Sequence, residues 1–280
     1  MTEAMSTQSL LDTTDLEAIA ATLDRAERDR QPVEPLRSTW PGLDLDGAYR
    51  VQQLNVERRL KAGDVLVGHK IGLTSKPMQT KFGVSTPDYG HLLKSMWLEP
   101  GAPLDMGQLV DPQIEVEPAF VLGRDLAGPG LGIEDVMHAT EYLVVCFEVI
   151  DSRIIDWNIK LPDTVADNGS SARFVLGTDK RQPTDANLQN LETTLELDGR
   201  LVETGNTDAI LGHPANGIVW LANTLAEYGV TLRAGHVVLP GTCIRCHRIG
   251  AHGRARARIE RLGEIELKLI GAPAVRHDAP

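Results

Sequence analysis

The N-terminal part of the chain alternates apolar and polar positions with the period of an α-helix. In residues 13–30 the apolar positions recur at spacings of three and four, and Thr13 or Thr14 is the expected N-cap. A second helical pattern fills residues 45–62 and stops before Gly63, a residue type that commonly terminates helices. The sequence therefore predicts an N-terminal helical part over residues 1–62.

From residue 63 to residue 272 the pattern changes to short β-like runs that are separated by glycine, proline and aspartate. Two helical patterns interrupt these runs, and the second, over residues 213–230, has Tyr228 on its apolar face. The pattern is typical of an α+β fold with a mixed β core rather than of a regular βαβ series. The residues 273–280 are expected to form a frayed tail.

Composition and charge narrow the class of protein. The chain has 280 residues, 42% of them hydrophobic, and a formal net charge of −11. Because nucleic acids and anionic membranes favour clustered Lys and Arg, this charge argues against both partners. No apolar run approaches the roughly 20 residues that span a bilayer, and the N-terminus lacks the features of a secretory signal. With only three cysteines, we expect a cytoplasmic protein.

Acidic residues interrupt two of the β-like runs. In the run IEVEP, Glu115 and Glu117 are two positions apart, so that they share one face of a strand. Glu148 lies in the apolar run VVCFEVI, where an unpaired buried carboxylate would be costly. A divalent cation bound by all three carboxylates would compensate their negative charges. Ligation by oxygen atoms alone suits Mg²⁺ or Mn²⁺. Alternatively, the first two face solvent and Glu148 pairs with Arg153 or Arg173.

Two further residues are candidate acid–base groups. Lys70 stands among apolar residues in the run VGHKIGL, and near a bound cation its pKa would fall. Asp88 lies in the proline-containing loop STPDYG. The simpler interpretations are an exposed strand lysine and a turn-forming aspartate.

Seven motifs now occur in a fixed order along the chain. They are GHKIGLTSKPMQ, PDYGHLL, IEVEPAFVL, FEVIDSRIIDW, DTVADNGSS, HPANGIVWLAN and AGHVVLPGT. From about residue 49 to the last strand, the sequence resembles the 2-keto-4-pentenoate hydratase branch of the fumarylacetoacetate hydrolase superfamily. The resemblance implies an α+β fold with a mixed β-roll core and an N-terminal helical part.

The resemblance also implies a site. It implies a Mg²⁺ or Mn²⁺ ion held by Glu115, Glu117 and Glu148. It implies that Lys70 and Asp88 are catalytic and face the substrate. The substrate-binding residues that it implies are Leu73, Ser170, Ser171 and Thr242, all within or next to the shared motifs.

The implied activity is the addition of water to a small 2-hydroxy-2,4-dienoate, giving a 4-hydroxy-2-oxo acid in the degradation of aromatic or steroid rings. One alternative is a 4-oxalocrotonate decarboxylase with the same metal site, and another is a non-catalytic oligomeric scaffold. Relatives of this kind are oligomers, so we expect a homo-oligomer, in association with a downstream aldolase or decarboxylase.

Two features fall outside the resemblance. The string CIRCH matches a haem-attachment motif, but attachment requires export and no signal is visible. Arg254, Arg256 and Arg258 alternate along a strand-like run where relatives are apolar, which predicts a solvent-facing or subunit-contacting surface. This departure weakens the expectation for substrate contacts near Thr242.

Overall fold

The computed structural model describes residues 11–185, 187–250 and 252–275. The α-helices in these ranges are α1 (Thr13–Asp29), α2 (Leu36–Thr39), α3 (Leu45–Lys61), α4 (Lys76–Phe82), α5 (Ile133–Ala139), α6 (Leu161–Ala166) and α7 (Pro214–Ala226). The β-strands are β1 (Leu66–Gly72), β2 (Asp88–Leu93), β3 (Trp97–Leu98), β4 (Leu104–Asp105), β5 (Pro112–Leu122), β6 (Thr140–Asp151), β7 (Ser171–Leu176), β8 (Glu192–Leu197), β9 (Arg200–Asn206), β10 (Val237–Leu239), β11 (His247–Arg248), β12 (Arg254–Ile259) and β13 (Gly263–Ile270).

The N-terminal helices begin and end for local reasons. Asp12 caps α1, because its carboxylate accepts a hydrogen bond from the backbone N–H of Asp15. The prediction of Thr13 or Thr14 as the cap is therefore wrong by one or two residues. Helix α3 ends at Lys61 and is followed by Gly63 with φ 99°, as expected for a terminating glycine. Helices α1, α2 and α3 all precede the first strand, and α3 packs on α6.

The larger of two sheets has eight strands in the order β2-β1-β10-β5-β6-β7-β3, and β11 also pairs with β5. Its longest pairing joins the antiparallel neighbours β5 and β6. Strands β1 and β10 are parallel, as are β3 and β7, so the sheet is mixed. The second sheet has the order β4-β13-β12-β8-β9. The α+β class with a mixed β core is therefore confirmed.

The two faces of β5 have different neighbours. Ile114, Val116 and Phe120 point into the main core, where the second sheet and α7 also contribute apolar side chains. Ala119 and Val121 point the other way, into a smaller apolar cluster shared with β2, β7 and β10. Because successive strand residues alternate between faces, the odd-numbered glutamates of β5 lie on this second face. The candidate site is on that face.

The ends of the chain and one helix correct the sequence interpretation. The backbone N–H groups of Ala274 and Val275 donate to the carbonyls of residues 109 and 110. The prediction of a frayed tail is therefore wrong for residues 273–275, whereas 276–280 lie outside the described residues, as do 1–10. Helix α7 ends at Ala226, so Tyr228 lies beyond it and is 70% exposed. No helix within the described ranges is long and apolar enough to cross a membrane.

Candidate active site

The pairing of β5 with β6 brings the three predicted glutamates together. Glu115 lies directly opposite Glu148 in the register, and Glu117 is one pleat further along β5. One carboxylate oxygen from each residue lies within 4.8 Å of the others. Glu117 and Glu148 are fully buried. Like charges opposite each other in a sheet repel, so this arrangement needs a compensating positive charge.

The glutamate oxygens fit a divalent cation. Glu117 Oε2 accepts a hydrogen bond from Gly241 N at 2.8 Å, but its Oε1 and both oxygens of Glu148 are buried without a hydrogen-bond partner in the described part of the chain. Burial raises the pKa of Glu117, and that of Glu115 to about 7, because the charged form loses its hydration. An all-oxygen set of this kind suits Mg²⁺, Mn²⁺ or Ca²⁺.

Lys70 extends from β1 into the same site. Its Nζ lies 3.6 Å from Glu148 Oε2 and 3.4 Å from the carbonyl oxygen of Gly169. Burial lowers the pKa of Lys70, but the carboxylates of Glu148, Glu115 and neighbouring acids outweigh this effect and raise it. The lowered pKa expected from the sequence supposes that a cation takes up the charge of these carboxylates. Glu148 thus faces Lys70 rather than an arginine.

Asp88 begins β2, directly opposite Gly72 of β1. It is only 3% exposed, and its Oδ1 has no hydrogen-bond partner among the described residues. A Cβ atom at Gly72 would lie 2.1 Å from this oxygen, so only glycine leaves room for the carboxylate. Burial raises the pKa of Asp88, with the Lys70 ammonium opposing. A carboxyl group with a raised pKa in such a position is a candidate for proton transfer.

The loop before β7 is held from both sides. Arg153 is buried and its guanidinium donates to the Asp167 carboxylate, which also accepts from Ser170 Oγ at 3.3 Å. The Asn168 side chain exchanges two hydrogen bonds with the backbone of His91 in β2. The hydrogen-bonding groups of the Asn168 side chain are therefore engaged by the protein itself.

The four predicted substrate-binding residues separate into two groups. Leu73, Ser170 and Thr242 line one cavity of about 210 Å³ together with Lys70 and others. Leu73 and Ser170 both have positive φ, a strained conformation for residues other than glycine that concentrates at functional sites. Ser171 lines a different cavity, which lies beneath α1 and α3. The structure therefore brings all the predicted site residues together except Ser171.

The cavity also has walls that sequence reasoning missed. Met78 and Phe82 of α4, Trp157, Ile159 and Cys246 all line it. No periodic pattern marks them, because they come from a short helix and from irregular segments. The volume is below the range typical of drug-sized ligands, so the cavity suits a small molecule.

The remaining motifs are structural. His213 caps α7 by accepting a hydrogen bond from Ala215 N. Within the CIRCH string, Cys243 is buried and His247 contacts Glu203. The CIRCH side chains are not part of the ion-binding geometry found among the described residues, which is that of the three glutamates. The strand arginines 254, 256 and 258 are exposed, as predicted.

Glu115, Glu117 and Glu148 could hold a divalent cation, and Lys70 and Asp88 lie beside them at a small cavity, an arrangement that is typical of metal-dependent enzymes. The chain belongs to the fumarylacetoacetate hydrolase family, since residues 72–276 match the model for the C-terminal part of fumarylacetoacetate hydrolase. The resemblance inferred from the seven motifs is thereby confirmed.

Named relatives agree with the hydratase branch. The chain is 42% identical over 250 residues to a 2-keto-4-pentenoate hydratase of Paraburkholderia phymatum, covering 89% of this chain and 95% of that protein. It is 38% identical over 248 residues to a 2-hydroxyhexa-2,4-dienoate hydratase of Comamonas testosteroni, covering 88% and 94%. Among solved structures, 4-oxalocrotonate decarboxylase from Pseudomonas putida G7, complexed with magnesium and adipate, superposes with a TM-score of 0.89 at 33% identity, covering 94% of this chain and all of that one.

Proposed function

We propose that this protein is a divalent-metal-dependent hydro-lyase that adds water to a 2-hydroxy-2,4-dienoate of the 2-keto-4-pentenoate type. The product is a 4-hydroxy-2-oxo acid, an intermediate in the degradation of aromatic or steroid rings. One observation carries the proposal: Lys70, Asp88 and the ligand set Glu115, Glu117 and Glu148 converge on a single site. The hydratase names of relatives that match most of the chain support it.

The three glutamates would hold the cation, which we propose to be Mg²⁺ or Mn²⁺. When bound, it would chelate the substrate through its carboxylate and 2-oxygen and offset the negative charge that develops there. The carboxylates alone would repel an anionic substrate. Gly241 N, which donates to Glu117 Oε2, fixes one of the ligands in place.

Lys70 and Asp88 would carry the proton transfers. The reaction needs a proton at C5 of the dienol and loss of the proton from its 2-hydroxyl group, which gives a 2-oxo-3-enoate with an electrophilic C4. The water that attacks C4 then loses a proton, and C3 of the resulting enolate gains one. Both side chains are buried and line the cavity, so each can act on a substrate shielded from bulk solvent. We leave open which of the two serves each step.

Leu73, Ser170 and Thr242 would contact the substrate. Ser170 lines the cavity in a loop that is fixed by the Arg153–Asp167 pair, and its hydroxyl donates to Asp167 Oδ2 at 3.3 Å. The Thr242 hydroxyl donates to Ile244 O at 3.0 Å, so Thr242 shapes the wall more than it binds a polar group. Ser171 is not included, because it faces the other cavity.

A decarboxylase is the second candidate. The similarity to the magnesium-complexed 4-oxalocrotonate decarboxylase favours it, because that structure covers 94% of this chain. A non-catalytic scaffold would have no reason to keep buried oxygens of Glu117 and Glu148 without a hydrogen-bond partner beside Lys70 and Asp88. The proposal therefore remains an enzyme, and its two versions differ in substrate.

The test compares two substrates with the metal-loaded protein. We expect 2-hydroxypenta-2,4-dienoate to be consumed with formation of 4-hydroxy-2-oxopentanoate, and 2-oxohex-3-enedioate to release little CO₂. Glu115→Ala and Glu148→Ala should each abolish turnover. Full activity of either variant in chelator-treated buffer would refute the metal assignment, and rapid CO₂ release without hydration would favour the decarboxylase.

A homo-oligomer located in the cytoplasm, in association with a downstream aldolase or decarboxylase, belongs to the same proposal. The few free cysteines support a reducing compartment. Light scattering coupled to size-exclusion chromatography tests the subunit number, and co-purification from native cells tests the association.

A further inference from the structure

The direction of the cavity follows from the strand register. Gln113 lies two residues before Glu115 on the same face of β5, and it pairs with Ile150, which lies two residues after Glu148 on β6. Two strand residues span about 7 Å. Both Gln113 and Ile150 line the cavity. A substrate whose carboxylate end lies at the glutamates therefore has room to extend past Gln113 and Ile150.

Trp157 lies in that direction. Its indole Nε1 donates to the carbonyl of Asp111, two residues before Gln113, at 3.0 Å. Trp157 and the preceding Asp156 have φ values of 54° and 55°, left-handed conformations that residues with a side chain rarely adopt in succession. This backbone places the indole against the cavity, which it lines together with Ile159. Such strain at a ligand-binding wall points to a functional constraint.

Helix α4 also lines the cavity. Of its seven residues only Gln79 is buried, and the Gln79 side chain donates to Leu73 O. Its two large apolar residues, Met78 and Phe82, both line the cavity, and Met78 is 38% exposed. These side chains therefore contribute little to the core. An apolar ligand group would bury them.

From these walls we infer that the distal part of the cavity is an apolar subsite for an uncharged alkyl tail on the substrate. The subsite, which we call the tail subsite, consists of Met78, Phe82, Ile150, Trp157 and Ile159. It rests on the proposed function and specifies it further. The preferred substrates are 2-hydroxydienoates that carry an alkyl group on the carbon farthest from the carboxylate, rather than dicarboxylates.

Lys81 is the lining residue that would favour a dicarboxylate substrate. It also lines the cavity, on the exposed side of α4, and it could pair with a second carboxylate. Its Nζ lies 6.0 Å from the centroid of the Phe82 ring, at the outer end of the subsite. An exposed lysine keeps its hydration and gains little from such a pair, whereas the apolar walls gain from each buried methylene.

Calorimetric binding of non-reacting 2-oxo acids to the Mg²⁺-loaded protein tests the tail subsite. The series is 2-oxobutanoate, 2-oxopentanoate, 2-oxohexanoate and 2-oxoheptanoate, of which the last two carry carbons beyond the fifth, and 2-oxoadipate is the dicarboxylate of the same length as 2-oxohexanoate. We expect Kd to fall about fourfold for each added methylene. We also expect 2-oxohexanoate to bind at least about tenfold more tightly than 2-oxoadipate, since a carboxylate would be desolvated between apolar walls.

Variants distinguish the contribution of the cavity walls to ligand binding from nonspecific effects of substitution. Met78→Ala and Phe82→Ala should flatten the chain-length series while leaving 2-oxobutanoate binding within about twofold, and Met78→Leu should restore the slope. Leu60→Ala, at a helical residue that is 37% exposed and remote from the cavity, is the matched control and should change nothing. Lys81→Met should leave the monocarboxylates unaffected.

The outcomes distinguish the two proposals. A flat series in a protein that hydrates dienoates would overturn the tail subsite alone. A sloped series in a protein that hydrates no dienoate would overturn the proposed function alone. Tighter binding of 2-oxoadipate that Lys81→Met abolishes would show that the cavity recognises a second carboxylate, contrary to the inference.

Discussion

Replacing Glu117 by glutamine removes one ligand charge while keeping the size of the side chain. At a separation of at most 4.8 Å from the other carboxylates, an ionised Glu117 would be repelled by about 3.5 kcal/mol per neighbour at an effective dielectric constant of about 20. Burial and these neighbours raise its pKa, which favours the protonated side chain when no cation is present. Glutamine imitates that neutral form, and we expect the metal-free variant to melt within about 2 °C of the wild type.

The wild type and the Glu117→Gln variant should differ in how much Mg²⁺ stabilises them. Mg²⁺ at a hundredfold excess over its Kd stabilises the wild type by about 2.7 kcal/mol, which corresponds to about 5 °C or more for a domain of this size. If loss of the charge weakens binding a hundredfold, Glu117→Gln retains about 0.4 kcal/mol, or about 1 °C, at the same Mg²⁺ concentration. Thermal unfolding followed by circular dichroism, in chelator-treated buffer with and without Mg²⁺, measures both quantities.

Glu99→Gln is the matched control, because the Glu99 side chain is 75% exposed and, among the described residues, forms an ion pair only with Lys94. It should retain the full Mg²⁺-induced shift. A Glu117→Gln variant that also keeps the full shift would refute the metal site. A metal-free variant that melts many degrees below the wild type would instead show that Glu117 serves mainly to hold the backbone of Gly241.

Three further predictions follow from the described contacts. Gly72→Ala should lower kcat about tenfold or more by displacing the Asp88 carboxylate, whose Oδ1 would lie 2.1 Å from the new Cβ; Gly132→Ala, whose Cβ meets no atom closer than 3.9 Å, should keep the wild-type rate in the same assay. Lys70→Met should lower turnover by about 10²–10⁴ yet retain the Mg²⁺-induced rise in Tm, and unchanged turnover would exclude Lys70 from catalysis. Burial lowers the pKa of His91 to about 4, below its value of about 6.5 in the unfolded chain, so its stabilising contribution is present above pH 6.5 and is lost as the pH falls towards 4. Denaturant titrations from pH 7 to pH 4 should therefore show a shallower loss of stability for His91→Leu, by up to about 3 kcal/mol, and equal slopes would contradict this.

The centre of the site was accessible from the sequence because strands have a simple period. Glu115 and Glu117 must share a face of β5 whatever the rest of the fold does. The position of Glu148 opposite Glu115 is different, because no local rule fixes how two strands are paired. That part of the prediction came from the resemblance to a family, and the register of β5 and β6 agrees with it.

The different positions of Ser170 and Ser171, and the missed wall residue Trp157, depend on irregular backbone. Ser170 has a positive φ, and this turns the chain so that Ser170 reaches the substrate cavity while Ser171 starts β7 facing the other way. Trp157 likewise reaches the cavity only through its left-handed conformation. Side chains with φ above zero are uncommon and have no sequence period. Such positions can be found only when the backbone is known.

The weak attachment of α4 has a consequence for how this fold can diversify. Reaction chemistry depends on paired strands whose side chains cannot be exchanged without loss of the ligands, whereas α4 is joined to the body of the protein mainly through Gln79. In natural or laboratory evolution, residues 76–82 can therefore be substituted with little loss of folding stability. A small mutant library confined to that segment should therefore yield enzymes that accept new substrates and keep the same catalytic residues.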